Sequence, residues 1–148
     1  MSSIHDCFVY SILNHLEDRT LQILAHYRDQ AIPEPYFSIT FQHVVATNFN
    51  HVVAPSILLD IEQVEVETIV QNNRDQFIAG LKYGWPFAGV AKFEGLITEL
   101  AASGANGYIV MGTCGLDGFV IAERMSVYSS RDPLRHDAVD NSPLNSDN

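Results

Sequence analysis

The chain has 148 residues, 47% of them hydrophobic and 18% charged, with a mean hydropathy of +0.03: one domain's length, and too apolar for a disordered chain. Eighteen Asp and Glu against eight Lys and Arg give a formal charge of −10, which argues against nucleic acid as a direct ligand because no positive field is available to hold a phosphate backbone. Strictly apolar runs, such as Ile57-Leu58-Leu59, fall far short of the roughly 20 residues that a membrane-spanning helix needs.

From Cys7 to His15 apolar residues alternate, predicting a strand, and Leu16-Glu17-Asp18-Arg19 supplies a turn. A second alternating run, Leu21 to Tyr27, completes a hairpin. Gln30 to Pro35 contains two prolines, which remove backbone donors, and reads as a connection. A long third strand is expected from Tyr36 to Thr47, with Asn48 and Asn50 marking a bend, and a short fourth from Ser56 to Ile61. The period then changes. Val66, Ile69, Val70, Phe77, Ile78 and Leu81 fit helical spacing, with an interruption near Asn72-Asn73, and Tyr83-Gly84-Trp85-Pro86 closes the helix. A second helix is expected from Lys92 to Ala102. Tyr108 to Cys114 and Phe119 to Tyr128 then form a hairpin around an Asp117-Gly118 turn. Residues 129–148 are poor in large apolar side chains and read as a disordered acidic tail.

The order β-β-β-β-α-α-β-β leaves no room for crossover helices between the early strands. It predicts a single α+β domain over residues 1–128, a mainly antiparallel sheet with two helices packed on it.

The candidates for chemistry are sparse. His5-Asp6 invites comparison with metal-dependent phosphohydrolases, yet it precedes a strand, and Asp6 reads better as a turn residue whose carboxylate accepts backbone N–H groups. His15, His26, His43 and His51 follow no zinc spacing, although His26 and His43 could meet across neighbouring strands. Cys114 lies among small residues at a strand end, where a nucleophile would be accessible, but no nearby histidine is in place to activate it. With Cys7 far away, both cysteines read as reduced thiols of a cytoplasmic protein, with no secretory signal preceding them. No cofactor or metal is expected.

Charge carries the most usable signal. Asp60, Glu62, Glu65 and Glu67 place four acids and no base within eight residues, where the fourth strand meets the first helix. This patch can support the helix start through the macrodipole, offer an acidic docking surface, or hold a divalent cation. Tyr83 and Trp85 add aromatic side chains that either anchor a partner or plug one end of the core.

The Ile4-His5-Asp6-Cys7 opening, the Ile57-Leu58-Leu59-Asp60-Ile61-Glu62 strand, the Tyr83-Gly84-Trp85-Pro86 element and the closing Gly115-Leu116-Asp117-Gly118-Phe119-Val120-Ile121 resemble those of small uncharacterised bacterial proteins. Some of that group are similar to the immunity proteins of polymorphic toxin systems. Over residues 4–128 the resemblance implies an acidic, non-enzymatic domain that covers a basic protein partner, and it transfers no defined functional residues. The rival expectation is a small enzyme or ligand-binding domain with a pocket between sheet and helices, Cys114 and a strand histidine being its chemical groups. The apolar strands also permit self-association into a homo-oligomer.

Overall fold

Alternating apolar residues dominate both halves of the chain, and in the computed structural model, which describes residues 4–28 and 31–134, they close a six-stranded antiparallel barrel. The strands are β1 (Cys7–His15), β2 (Thr20–His26), β3 (Tyr36–Asn50), β4 (Ser56–Val64), β5 (Asn106–Cys114) and β6 (Asp117–Ser130). Their order around the barrel is β1-β2-β3-β6-β5-β4. Between β4 and β5 lie α1 (Val66–Asn72), α2 (Arg74–Leu81) and α3 (Phe93–Ala102).

The α+β class and the antiparallel pairing agree with the sequence reading. Two features do not. The sheet is closed, because β4 turns back onto β1 through a seam running only from Cys7↔Leu58 to Val9↔Ser56. The helices among the described residues number three, because Asn73 ends α1: its side-chain Nδ2 and its backbone N–H both donate to the Ile69 carbonyl, at 2.8 and 3.1 Å.

Several strands also outrun their predicted ends. Asn48 and Asn50 do not bend the chain but pair with Phe119 and Asp117 in register. Asp117 and Gly118 therefore belong to β6, and the reversal falls at Gly115-Leu116, where Gly115 adopts φ +76°. Likewise Ser129 and Ser130 pair with Phe37 and Tyr36, so the strand takes in the first two residues assigned to the tail. Residues 135–148 lie outside the described part.

The two faces of the wall feed two cores. Inside the barrel, Leu21, Ile23, Phe37, Ile39, Phe41 and Val120 are buried together. On its outer face, Phe119 and Ile121 of β6 meet Phe77, Phe93, Leu96 and Leu100 from the helices. Strands apolar on both faces are expected where one face lines a barrel and the other is covered by helices. Gly107 is needed here, since a Cβ would lie 2.7 Å from Ile69 Cδ1 and hold α1 off the sheet.

Candidate functional site

Beyond Leu58, β4 has no strand partner on its β1 side among the described residues, so residues 59–64 form an exposed edge. A register shift between Leu58 and Asp60 leaves Leu59 unpaired, and from there Asp60, Glu62 and Val64 face outward opposite Met111, Ile109 and Gly107. Asp60 and Glu62 are exposed; one Asp60 oxygen accepts the Ile61 backbone N–H at 2.8 Å. Charges on a free edge deter pairing with another chain's strand. Glu65 occupies the N-cap of α1 without a side-chain capping bond, and Glu67 lies in its first turn, where the helix dipole favours a carboxylate. The four acids singled out in the sequence thus continue along one exposed stretch from strand to helix.

That stretch borders a cleft that sequence patterning did not disclose. Its floor is the outer face of the barrel, built from Ile109 of β5 and Phe119 of β6, with Ile69 of α1 beside them. Four asparagines line it: Asn48 and Asn50 from the end of β3, and Asn72 and Asn73 from the α1–α2 junction. Asp117 supplies a carboxylate, with Oδ1 3.4 Å from His51 Nδ1. The cleft holds about 310 Å³, and no Lys, Arg or His lines it among the described residues. The Asn73 carboxamide is committed to Ile69, whereas those of Asn48, Asn50 and Asn72 make no hydrogen bond among the described residues. The rows explain the convergence. Residues paired directly across an antiparallel sheet share a face, so Asn48–Phe119–Ile109–Glu62 runs across β3, β6, β5 and β4 as one outward row, with Asn50 and Asp117 starting the next.

Tyr83 and Trp85 separate. Tyr83 is 89% exposed after α2, while Trp85 stacks on Phe77 with ring centroids 4.9 Å apart. Phe77 in turn stacks on Phe119 at 5.7 Å, so Trp85 extends the helix-side core and also lines a second cleft of about 380 Å³ with Arg19, Val45 and Phe87.

The remaining candidates are scattered. His5 Nε2 is 3.3 Å from Asp6 Oδ2 and His5 Nδ1 is 2.8 Å from the Leu59 carbonyl oxygen. Asp6 does turn the chain, at φ +62°, with the turn closed by the Cys7 N–H donating to the Ile4 carbonyl at 3.2 Å rather than by the Asp6 carboxylate. His26 sits opposite Phe8 and Tyr36, whereas His43 is 3.8 Å from Glu123 on the far side of the Leu21–Phe41 pair, so the two histidines do not meet. Among the described residues no three His, Cys, Asp or Glu side chains gather to hold a metal. Cys114 is exposed, its Sγ 3.7 Å from the Pro55 carbonyl oxygen. Cys7 is fully buried, and burial pushes its thiol up to about 11, with Asp6 adding to the shift and a hydrogen bond to Tyr27 opposing it. A pocket between sheet and helices therefore exists, but neither Cys114 nor a histidine lines it.

The chain matches no family model and no curated protein. No helix among the described residues is long and apolar enough to cross a membrane.

Proposed function

We propose that this domain is a non-enzymatic protein-binding module, akin to immunity proteins, whose acidic face meets a basic protein partner. The observation that carries the reading is the continuity of Asp60, Glu62, Glu65 and Glu67 along one exposed edge of strand and helix. That edge lies beside a cleft whose lining includes no cation among the described residues. Like charges held together on a surface raise the local concentration of an oppositely charged partner and accelerate its docking, an effect that fades beyond a Debye length of ~8 Å at physiological salt.

The test uses the Asp60→Asn, Glu62→Gln, Glu65→Gln, Glu67→Gln quadruple variant. Proteins retained by the native chain and lost by this variant are identified, and the association rate of the purified partner is measured at two salt concentrations. The variant should associate roughly tenfold more slowly at low salt, with a flattened salt dependence. An unchanged association rate removes this edge from the interface.

A further inference from the structure

The cleft joins three properties that one ligand chemistry satisfies together. Its floor is apolar, formed by Ile69, Ile109 and Phe119. Its rim carries the carboxamides of Asn48, Asn50 and Asn72, uncommitted among the described residues. Its charge is negative, from Asp117 within and from Glu62 and Asp60, which pair directly with the lining residues Ile109 and Met111. No Lys or Arg lines the cleft among the described residues to receive an anionic ligand, and a neutral polyol would leave the negative field without a counter-charge.

We propose that the cleft is the socket for an arginine side chain of the basic partner, a step that rests on the binding role argued above. A guanidinium offers five N–H donors and no acceptor, and so requires what this rim presents: carboxamide oxygens and a carboxylate. Asp117 engages His51 through Oδ1, which leaves Oδ2 to receive the guanidinium. The three methylenes of arginine lie along the apolar floor while the head stays at the polar rim. A volume of about 310 Å³ is at the lower end of ligand sites, enough for one long side chain rather than a folded segment. A lysine ammonium is a compact, strongly hydrated charge with three donors, and it would use fewer of these acceptors. Arginine anchors seated in pockets are common energetic centres of protein interfaces, and a rim of further acids would steer such an anchor inward.

The test is a titration of the full-length, ¹⁵N-labelled chain with a blocked Gly-Arg-Gly tripeptide, and with the same peptide carrying citrulline or lysine in place of arginine. The side-chain NH₂ resonances of Asn48, Asn50 and Asn72 report directly on the rim. The arginine peptide should shift all three with millimolar affinity, the lysine peptide should bind more weakly, and the neutral citrulline peptide should leave them unmoved. Asp117→Asn should weaken the arginine peptide about tenfold, and Asn72→Ala, at the exposed end of α1, about threefold. Equal shifts with citrulline, or equal affinity for lysine, overturn the socket. Shifts confined to Glu65 and Glu67 also overturn it, while leaving the acidic docking face intact. No shift at any residue overturns the socket as well, and the association-rate measurement on the quadruple variant then decides the broader reading separately.

Discussion

Two glycines in helices should respond in opposite directions to the same substitution. Gly95 lies in α3, where an added Cβ would meet only Val90 Cγ1 at an ordinary 3.6 Å. Gly95→Ala should therefore gain the usual helical advantage of alanine, about 0.5–1 kcal/mol. Gly80 lies in α2, where the same Cβ would fall 2.4 Å from Trp85 Cε3 and 3.1 Å from the Trp85 carbonyl oxygen. The ring cannot simply swing aside, since it is stacked on Phe77 and its backbone N–H donates to the Gly80 carbonyl at 3.0 Å. Overpacking of this kind costs about 1–3 kcal/mol, which exceeds the propensity gain. Gly80→Ala should thus lose a net 1–2 kcal/mol or so, a fall in Tm of about 3–7 °C for a chain of this length. Trp85 is the sole tryptophan, so urea unfolding followed by its fluorescence reads both the stability and the displacement of the ring. If Gly80→Ala stabilised the protein as Gly95→Ala does, with unshifted native emission, Trp85 would not be packed on α2 and the account of the helix-side core would fail.

Three further outcomes follow from the same geometry. The Cys7 thiol ionises near 9 when unfolded and near 11 when folded, so the folded chain holds the proton more tightly; stability should be unaffected below pH 9 and fall by about 2–3 kcal/mol as the pH rises to 11, measured by urea unfolding against a Cys7→Ala control that lacks the slope. At pH 8 a thiol reagent should modify Cys114 alone in the native protein and both thiols in denaturant, and Cys114→Ser should change stability by less than about 0.5 kcal/mol; rapid native labelling of Cys7 would contradict its burial. Tyr10 Oη donates to the Leu134 carbonyl at 2.9 Å and accepts the Leu134 N–H at 3.1 Å, so a chain ending at Ser130 should lose about 1 kcal/mol, some 3 °C in a thermal melt, relative to one ending at Leu134.

What the sequence disclosed, and what it did not, divides by range. Alternation located all six strands, and the change of period located the helices, because both signals are written within a few neighbouring residues. Barrel closure was not legible, since it depends on a seam of Cys7, Phe8 and Val9 with Leu58, Ile57 and Ser56, about fifty positions away. The strand ends were misread for a related reason. Asn48, Asn50 and Asp117-Gly118 have the chemistry of turns, but here they all lie within the β3–β6 ladder, and tertiary pairing overrides local preference. The site divides in the same way. Four acids within eight residues form a local feature and are visible at once; the asparagine rim is assembled from β3 and from the α1–α2 junction, and each piece alone reads as punctuation. The available signal was that four of the six asparagines in the described residues fall at two such points.

The register of β3 decides what that punctuation becomes. Val44 packs inside the barrel opposite Ala122, whereas Val45 and Ala46 both lie on the helix side, because the strand carries an extra residue where the register shifts between Val44 and Ala46. A bulge of this kind reverses the alternation beyond it, and here it restores the phase set by Phe37, Ile39 and Phe41, which the strand leaves at His43, where φ is +54°. Downstream, Phe49 packs against the barrel core in phase with Phe41, and Asn48 and Asn50 share the outer face with Ala46. Were the phase of Val44 carried on without the extra residue, the two carboxamides would point into an apolar interior, at a cost of about 1–3 kcal/mol each, and Phe49 would be exposed. The inserted residue therefore offsets the switch at His43. It keeps the polar residues out of the barrel, and it sets them beside Asp117 and the end of α1, where a cleft of negative character can form.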